Sequence, residues 1–187
     1  MGEFSAFGIG GTSGTSGTSG GKPAGQIFLS AAGGWPSSTS GCQANTKMVL
    51  GTSCIDMYHL SFDKDADENA QFTLAMPSDW NVGTVSAQYH WASTGGTSGQ
   101  TVKWYCQGLL YGDSDPYEGA FGTAVGVEDT LLTVGDIHKS GTSAAITLSG
   151  TSSVTGLAQF RVYRDVSEDD LSCDAALLGV MISFNRS

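Results

Sequence analysis

Residues with the chemistry to bind calcium are concentrated in the segment DKDADEN, at positions 63–69. Its carboxylates alternate along the chain, as at the start of an EF-hand loop: Asp63, Asp65, Asp67 and Glu68. That loop needs glycine at its sixth position and glutamate at its twelfth, where this chain has Glu68 and Leu74. We therefore interpret the segment as a solvated turn between two strands, with calcium bound in a non-standard way as the alternative. No metal site and no cofactor are predicted.

Catalytic motifs are missing from the rest of the chain. His59, His90 and His138 are far apart, and none belongs to an H-x-H or H-E-x-x-H pair. The first two fall on the polar phase of alternating segments, so we expect them to be exposed on strands. The GTSGTSG repeat does not have the G-x-S-x-G spacing of a hydrolase nucleophile. No pair among the 18 acidic residues is singled out for glycoside cleavage. We predict that the protein is not an enzyme, with a polysaccharide hydrolase as the weakest of three hypotheses.

Aromatic side chains are the other functional groups to weigh, since sugar-binding β-sandwiches stack exposed Trp and Tyr rings on pyranose rings. Trp91 and Trp104 share the phase of the neighbouring apolar residues, which predicts that both are in the core. Tyr105 lies on the opposite phase, and Trp35 and Tyr117 lie in loops. These three are the candidate glycan-binding residues. Packing at a subunit interface or anchoring of loops is the alternative.

The elements that must position these residues are β-strands. Hydrophobic residues make up 40% of the chain and charged residues 14%, with 27 glycines, a composition that disfavours surface helices. Short segments with a period of two indicate strands at 26–31, 46–50, 55–63, 70–76, 84–92, 101–111, 130–134, 144–148, 157–165 and 175–184. One short helix could begin at Ser167. We predict an all-β fold, a jelly-roll-like two-sheet β-sandwich over residues 26–187.

Charge and cysteine content exclude several classes of partner and site. The net charge is -10 and the eight basic residues are scattered, so nucleic-acid binding is not expected. No apolar segment approaches the ~20 residues of a membrane helix, and the N-terminus does not resemble a signal peptide. Cys106 and Cys173 lie in strand-like segments and are predicted to be buried thiols. Whether Cys42 and Cys54 pair stays open.

Residues 1–25 differ from the rest and contain the stretch FSAFGIGGTSGTSGTSGGKPAG. Three Thr-Ser-Gly units follow an apolar cluster formed by Phe4, Phe7 and Ile9. A cloning spacer or a passive linker is one interpretation. The other is an N-terminal arm, whose apolar cluster binds another subunit while the Thr-Ser-Gly main chain is laid along that subunit by hydrogen bonds.

The segments FDKDADENAQFTLAMPSDWN and QFRVYRD...AALLGVMI resemble a family of small proteins from tailed bacteriophages. The similarity extends over nearly all of residues 26–187. It implies a structural protein located in the virion after synthesis in the host cytoplasm. The expected type is a trimeric capsid decoration (cement), head-fibre or tail-appendage protein, attached by its arm to the major capsid protein or another virion subunit. The alternative is a receptor- or glycan-binding module on a tail fibre or spike.

Overall fold

A computed structural model describes residues 22–50 and 55–187, with only the backbone described at 49 and 50. It contains twelve strands: β1 (Gly25–Ser30), β2 (Trp35–Pro36), β3 (Gln43–Leu50), β4 (Ile55–Phe62), β5 (Glu68–Ala75), β6 (Trp80–Ala92), β7 (Thr101–Tyr111), β8 (Val125–Thr130), β9 (Ile137–Lys139), β10 (Ser149–Gly150), β11 (Leu157–Arg164) and β12 (Ala175–Arg186). A single 3-10 turn, Ala31–Gly33, follows β1. The residues Phe4, Phe7 and Ile9, and with them the predicted arm up to position 21, lie outside the described residues.

The strands form two six-stranded sheets. Sheet 1 has the order β3-β4-β12-β6-β9, and β1 also pairs with β12. Because β4 pairs with residues 175–177 of β12 and β1 with residues 179–184, these two strands lie end to end along one side of it. Sheet 2 has the order β10-β7-β11-β5-β2, with β8 also on β7. The chain passes repeatedly from one sheet to the other, which confirms the predicted jelly-roll-like β-sandwich.

Large aromatic residues join the two sheets in the core. Trp104 of β7 stacks on Tyr89 of β6 with ring centroids 5.7 Å apart. Phe62 of β4 meets the same indole edge-on at 5.1 Å. Trp91 is also fully buried, and its indole Nε1 donates to Asp129 Oδ2 at 2.7 Å. The prediction that Trp91 and Trp104 are core residues is therefore confirmed.

Two predicted strands are wrong. In the TLLTV segment, at 130–134, only Leu131 is buried while Leu132 and Val134 are exposed, so its apolar residues do not face one layer. The strand of this region is β8, which lies five residues earlier and pairs with residues 101–106 of β7. In the AAITL segment, at 144–148, only Ile146 forms a bridge, with Val85 of β6.

Serine side chains explain why the region before Ile146 is not a regular strand. Ser140 and Ser143 are buried beside β6, and their backbone N–H groups donate to the carbonyls of Tyr89 and Ala87. In return, the N–H groups of Tyr89 and Ala87 donate to the Oγ atoms of Ser140 and Ser143 at 2.9 and 3.0 Å. Two serine hydroxyls thus accept the hydrogen bonds that carbonyl groups of a paired strand would otherwise accept. The backbone N–H groups of β6 are therefore satisfied although its neighbour is not a regular strand.

The helix that could begin at Ser167 does not form. Residues 165–174 form a loop instead, held by the buried side chain of Arg164. Among the described residues no helix is long and apolar enough to cross a membrane.

The cysteines differ in burial. Cys106 is buried as predicted, and burial raises the pKa of its thiol to about 12. Cys42 is also buried, whereas Cys173 is only half-buried, so its predicted burial is partly wrong. Cys54 lies outside the described residues, and its pairing with Cys42 stays open.

Candidate functional site

The outer face of sheet 2 carries a row of large polar and aromatic side chains that crosses four strands. Trp35 of β2 lies opposite Gln71 of β5, Gln71 lies opposite Arg161 of β11, and Arg161 lies opposite Gln107 of β7. Paired residues share a face, and neighbouring strands are ~4.8 Å apart, so the row spans ~14 Å. We call this face, with the adjacent Thr73, Gln159, Tyr105 and Tyr163, the outer shelf.

Hydrogen bonds between side chains fix the amide groups of the outer shelf. Gln159 Nε2 donates to Gln71 Oε1 at 2.8 Å, and Thr73 Oγ1 donates to Gln159 Oε1 at 2.6 Å. Gln71 Nε2 in turn donates to Ser37 Oγ at 3.1 Å. Amides held in this way present their remaining donors and lone pairs in a set direction, which lowers the entropic cost of binding a polar ligand.

The guanidinium of Arg161 lies at the centre of the outer shelf. Its Cζ is 4.9 Å from the ring centroid of Phe121, in the loop that follows β7. Oriented with its oxygen toward Arg161, the Gln107 amide accepts from Nε at 2.8 Å and also from Nη2. The loop also approaches Leu109 at Gly119, so it forms a wall along the β7 side. The shelf is thus bounded on that side and open toward Trp35.

Two tyrosines form the second row of the outer shelf. Tyr105 and Tyr163 lie opposite each other on β7 and β11, with ring centroids 4.9 Å apart and an interplanar angle of 7°. The Tyr105 hydroxyl donates to Glu168 Oε2 at 2.7 Å, and this hydrogen bond raises the pKa of Tyr105 to about 12. Lys103 Nζ is 3.5 Å from the same carboxylate. Both tyrosines therefore stay protonated at neutral pH, since burial also raises the pKa of Tyr163.

The structure places two of the three predicted aromatic residues on one face of sheet 2, on β7 and β2, with β11 and β5 between them. Trp35, 43% exposed, and Tyr105 lie on the same outer face. Tyr105 does not offer a free ring face, however, because Tyr163 stacks on it and Gly126, its partner on β8, is so close that an added Cβ would lie 2.7 Å from the ring. Tyr117 is 86% exposed, but its carbonyl accepts from the hydroxyl of Tyr111 at the far end of β7. It lies away from the row.

Six residues of the outer shelf were missed in the sequence: Gln71, Thr73, Gln107, Gln159, Arg161 and Tyr163. All six occupy the polar phase of strands whose buried phase was recognised, so alternation alone could have nominated them as outward-facing. Alternation does not reveal that β2, β5, β11 and β7 are neighbours, because that order depends on contacts distant in sequence.

The acidic segment 63–68 is a turn between β4 and β5, as predicted, and its own carboxylates hold it. The N–H of Asp65 donates to Asp63 Oδ1 at 2.6 Å, and the N–H of Asp63 donates to Glu68 Oε2 at 2.7 Å. Burial raises the pKa of Glu68. Within residues 22–50 and 55–187, no group of three or more His, Cys, Asp or Glu side chains is placed to hold a metal ion.

His59 and His90 are less exposed than predicted. Both are half-buried, and burial lowers the pKa of each. His138 is buried with its Nε2 3.1 Å from the Thr133 carbonyl oxygen. Sheet 1 buries the first two because its outer face is partly covered by its own large side chains, notably Phe28, whose ring meets that of His90 edge-on at 5.3 Å.

A hollow of about 370 Å³ lies on this outer face of sheet 1, at the Ser30 end of β1. Its lining is Phe28, Ser30, Ala32, Asp56, Met57, Tyr58, His90, Ile137 and Leu178. Phe28, Tyr58 and Ile137 are 45%, 52% and 52% exposed. We call it the sheet-1 hollow; it lies on the opposite layer of the sandwich from the outer shelf.

Comparison with known proteins gives no family assignment. No protein-family model and no curated protein match the sequence. Among solved structures, the chain is similar to the CBM36-1 domain of a multidomain xylanase from the hindgut metagenome of Trinervitermes trinervoides (8% identity, 87% of this chain and 99% of that one, TM-score 0.47). It is also similar to the xylan-binding module CBM15 (14%, 88% and 99%, 0.46) and to the family 11 carbohydrate-binding module from Clostridium thermocellum (10%, 86% and 96%, 0.46).

Proposed function

We propose that the protein is a non-catalytic binding domain whose outer shelf binds oligosaccharides. The observation that supports this most directly is the row from Trp35 through Gln71 to Arg161, which combines an exposed indole with planar hydrogen-bonding groups. An indole face suits the C–H face of a sugar ring, while amides and a guanidinium suit its hydroxyl groups. The open side at Trp35 and the wall at Phe121 leave room for a short stretch of a sugar chain.

A glycan array probed with the full chain tests this proposal. Retention on at least one class of oligosaccharide is expected, and Gln159→Ala should weaken it, because Gln159 joins Thr73 to Gln71 in the fixed amide chain. The control is Thr142→Ala, an exposed residue beside sheet 1. If no glycan retains the chain, or if Gln159→Ala binds as well as the wild type, the outer shelf is not a glycan site.

The second candidate function is a structural component of a phage particle, as the resemblance of the sequence implies. The sheet-1 hollow favours it, because a cluster of half-exposed apolar side chains is typical of protein interfaces. In this hypothesis the partner is the major capsid protein or another virion subunit, the assembly is a homotrimer, and Phe4, Phe7 and Ile9 bind the partner. The two functions are compatible, since the hollow and the outer shelf belong to different sheets.

Deletion of residues 1–20 tests the structural candidate. Loss of the protein from purified particles is expected, with the glycan binding of the outer shelf unchanged. Undiminished incorporation would exclude anchoring by the arm.

A further inference from the structure

The sheet-1 hollow is unusual because three large, exposed apolar side chains converge there, beside the exposed polar residues Ser30 and Asp56. Phe28, Tyr58 and Ile137 come from β1, β4 and β9, yet all three line the same 370 Å³. A hollow of this size takes one or two large side chains. An apolar occupant would remove this apolar surface from water, and that burial favours binding.

His90 lines the hollow without adding a charge to it. Its Nδ1 is closed to solvent and makes no hydrogen bond within the described residues. Burial lowers the pKa of His90, so the imidazole ring is neutral at pH 7. The ring therefore does not disfavour an apolar occupant.

The N-terminal sequence has the matching chemistry. Phe4, Phe7 and Ile9 are large apolar residues in a segment that is otherwise mostly Gly, Ser and Thr. Before Lys22 its only charged side chain is Glu3, so it can approach a chain of net charge -10 with little repulsion. Glycine-rich backbone at Gly8 and Gly10 leaves N–H groups unhindered by side chains.

The place where the described chain begins favours a second copy over the same molecule. Lys22 Nζ donates to the Ser187 carbonyl oxygen at 2.6 Å, and Gly25 lies opposite Phe184, so the chain enters at the C-terminal end of β12. From there β1 runs toward the hollow, and Phe28 is ~20 Å away from Lys22 along it. To reach the hollow of its own molecule, the arm would have to turn back and run alongside β1.

The available length is sufficient for a neighbour. Lys22 is thirteen positions after Ile9, a distance that spans at most ~45 Å when the chain is extended. A domain of this size is roughly 40 Å across. We propose that the apolar residues Phe7 and Ile9 of one copy bind in the sheet-1 hollow of a second copy, so that arms are exchanged in an oligomer. In this arrangement the subunit that receives Phe7 and Ile9 is another copy of the chain, not the major capsid protein, and the exchange is independent of glycan binding by the outer shelf.

Light scattering coupled to size exclusion, over a concentration series of the full chain, tests the proposal. The wild type is expected to be oligomeric, and two variants are expected to be monomeric: the arm variant Phe7→Asp/Ile9→Asp and the hollow variant Tyr58→Ser/Ile137→Ser. Because Tyr58 and Ile137 are about half exposed, the hollow variant should keep its thermal unfolding midpoint within a few degrees. Val154→Ser, an exposed apolar residue elsewhere, is the matched control and should stay oligomeric.

Mixing the two monomeric variants separates arm exchange from association through a different surface. The arm variant keeps an intact hollow and the hollow variant keeps an intact arm, so together they should form a heterodimer through one good contact. A monomeric wild type at all concentrations would overturn the proposal, whether its arm is unbound or returns to its own hollow. So would an oligomer that survives in both variants, or a mixture that stays monomeric.

Discussion

Arg164 and Asp169 form a fully buried ion pair, in which Nε and Nη2 donate to Oδ2 and Oδ1 at 2.8 and 2.9 Å. The guanidinium also donates to the carbonyls of Leu171 and Cys173 at 2.8 and 2.9 Å. Asp169 further accepts from the N–H of Lys103 at 3.2 Å. One side chain thus closes the 165–174 loop over the end of β7, and the same loop carries Glu168 to the hydroxyl of Tyr105.

Breaking this pair should destabilise the protein strongly. Arg164→Met leaves the buried Asp169 carboxylate uncompensated, and we expect a loss of about 3–5 kcal/mol in the free energy of unfolding. Urea denaturation measures it. Asp169→Asn should also destabilise, and the double variant should lose less than the sum of the two because the partners are coupled.

The exposed pair Arg186–Asp79, with Nε and Oδ2 3.3 Å apart, is the control. Arg186→Met should cost less than about 1 kcal/mol. Strict additivity of the Arg164 and Asp169 substitutions would show that the two residues act separately.

The serine-lined edge of β6 should be sensitive to loss of single hydroxyls. Ser140→Ala or Ser143→Ala removes the acceptor of a buried N–H, of Tyr89 or Ala87 respectively, which should cost about 1–3 kcal/mol each. Thr142→Ala, exposed between them, should be neutral. Equal stability of all three variants in chemical denaturation would mean that water or a backbone shift replaces the hydroxyls.

Stability should fall in mild acid because of His90. Burial and the nearby Lys139 lower its pKa in the folded state, so the unfolded chain, with a His pKa of about 6.5, takes up the proton first. The stability that neutral His90 contributes is fully present above the unfolded pKa of about 6.5. It is lost as the pH falls through the lower pKa of the folded state. Thermal midpoints measured from pH 8 to 5 should show a smaller decline for His90→Gln than for the wild type. An identical decline would mean that other titratable groups cause the loss of stability, and His59 would be the first of them to substitute.

Glycan affinity should depend on Trp35 and not on Tyr117. Trp35→Ala removes the exposed indole of the outer shelf and should weaken binding about tenfold or more, with unfolding unchanged. Tyr117→Ala removes a more exposed ring outside the row and should have no effect. Isothermal calorimetry with an array-selected oligosaccharide measures both. A larger loss of glycan affinity in Tyr117→Ala than in Trp35→Ala would instead place the glycan site at the loop after β7.

Strand periodicity made most of the fold predictable, because one buried phase per strand is a local property. It placed β7 at Thr101–Tyr111 and assigned Trp91 and Trp104 to the core. It failed at 130–134, where apolar residues are exposed. It also failed at β8, where Glu128 and Asp129 lie in a strand because their backbone pairs with β7. Sheet order is non-local, so no pattern in the sequence could place Trp35 beside Gln71 and Arg161.

Hydrogen exchange of the full chain, with and without a bound oligosaccharide, tests the glycan-binding role of the outer shelf most directly. Slower exchange is expected in β5 and β11, at 68–75 and 157–164, and in the Trp35 segment, while sheet 1 stays unchanged. Protection confined to sheet 1, or binding without any protection in sheet 2, would contradict the account.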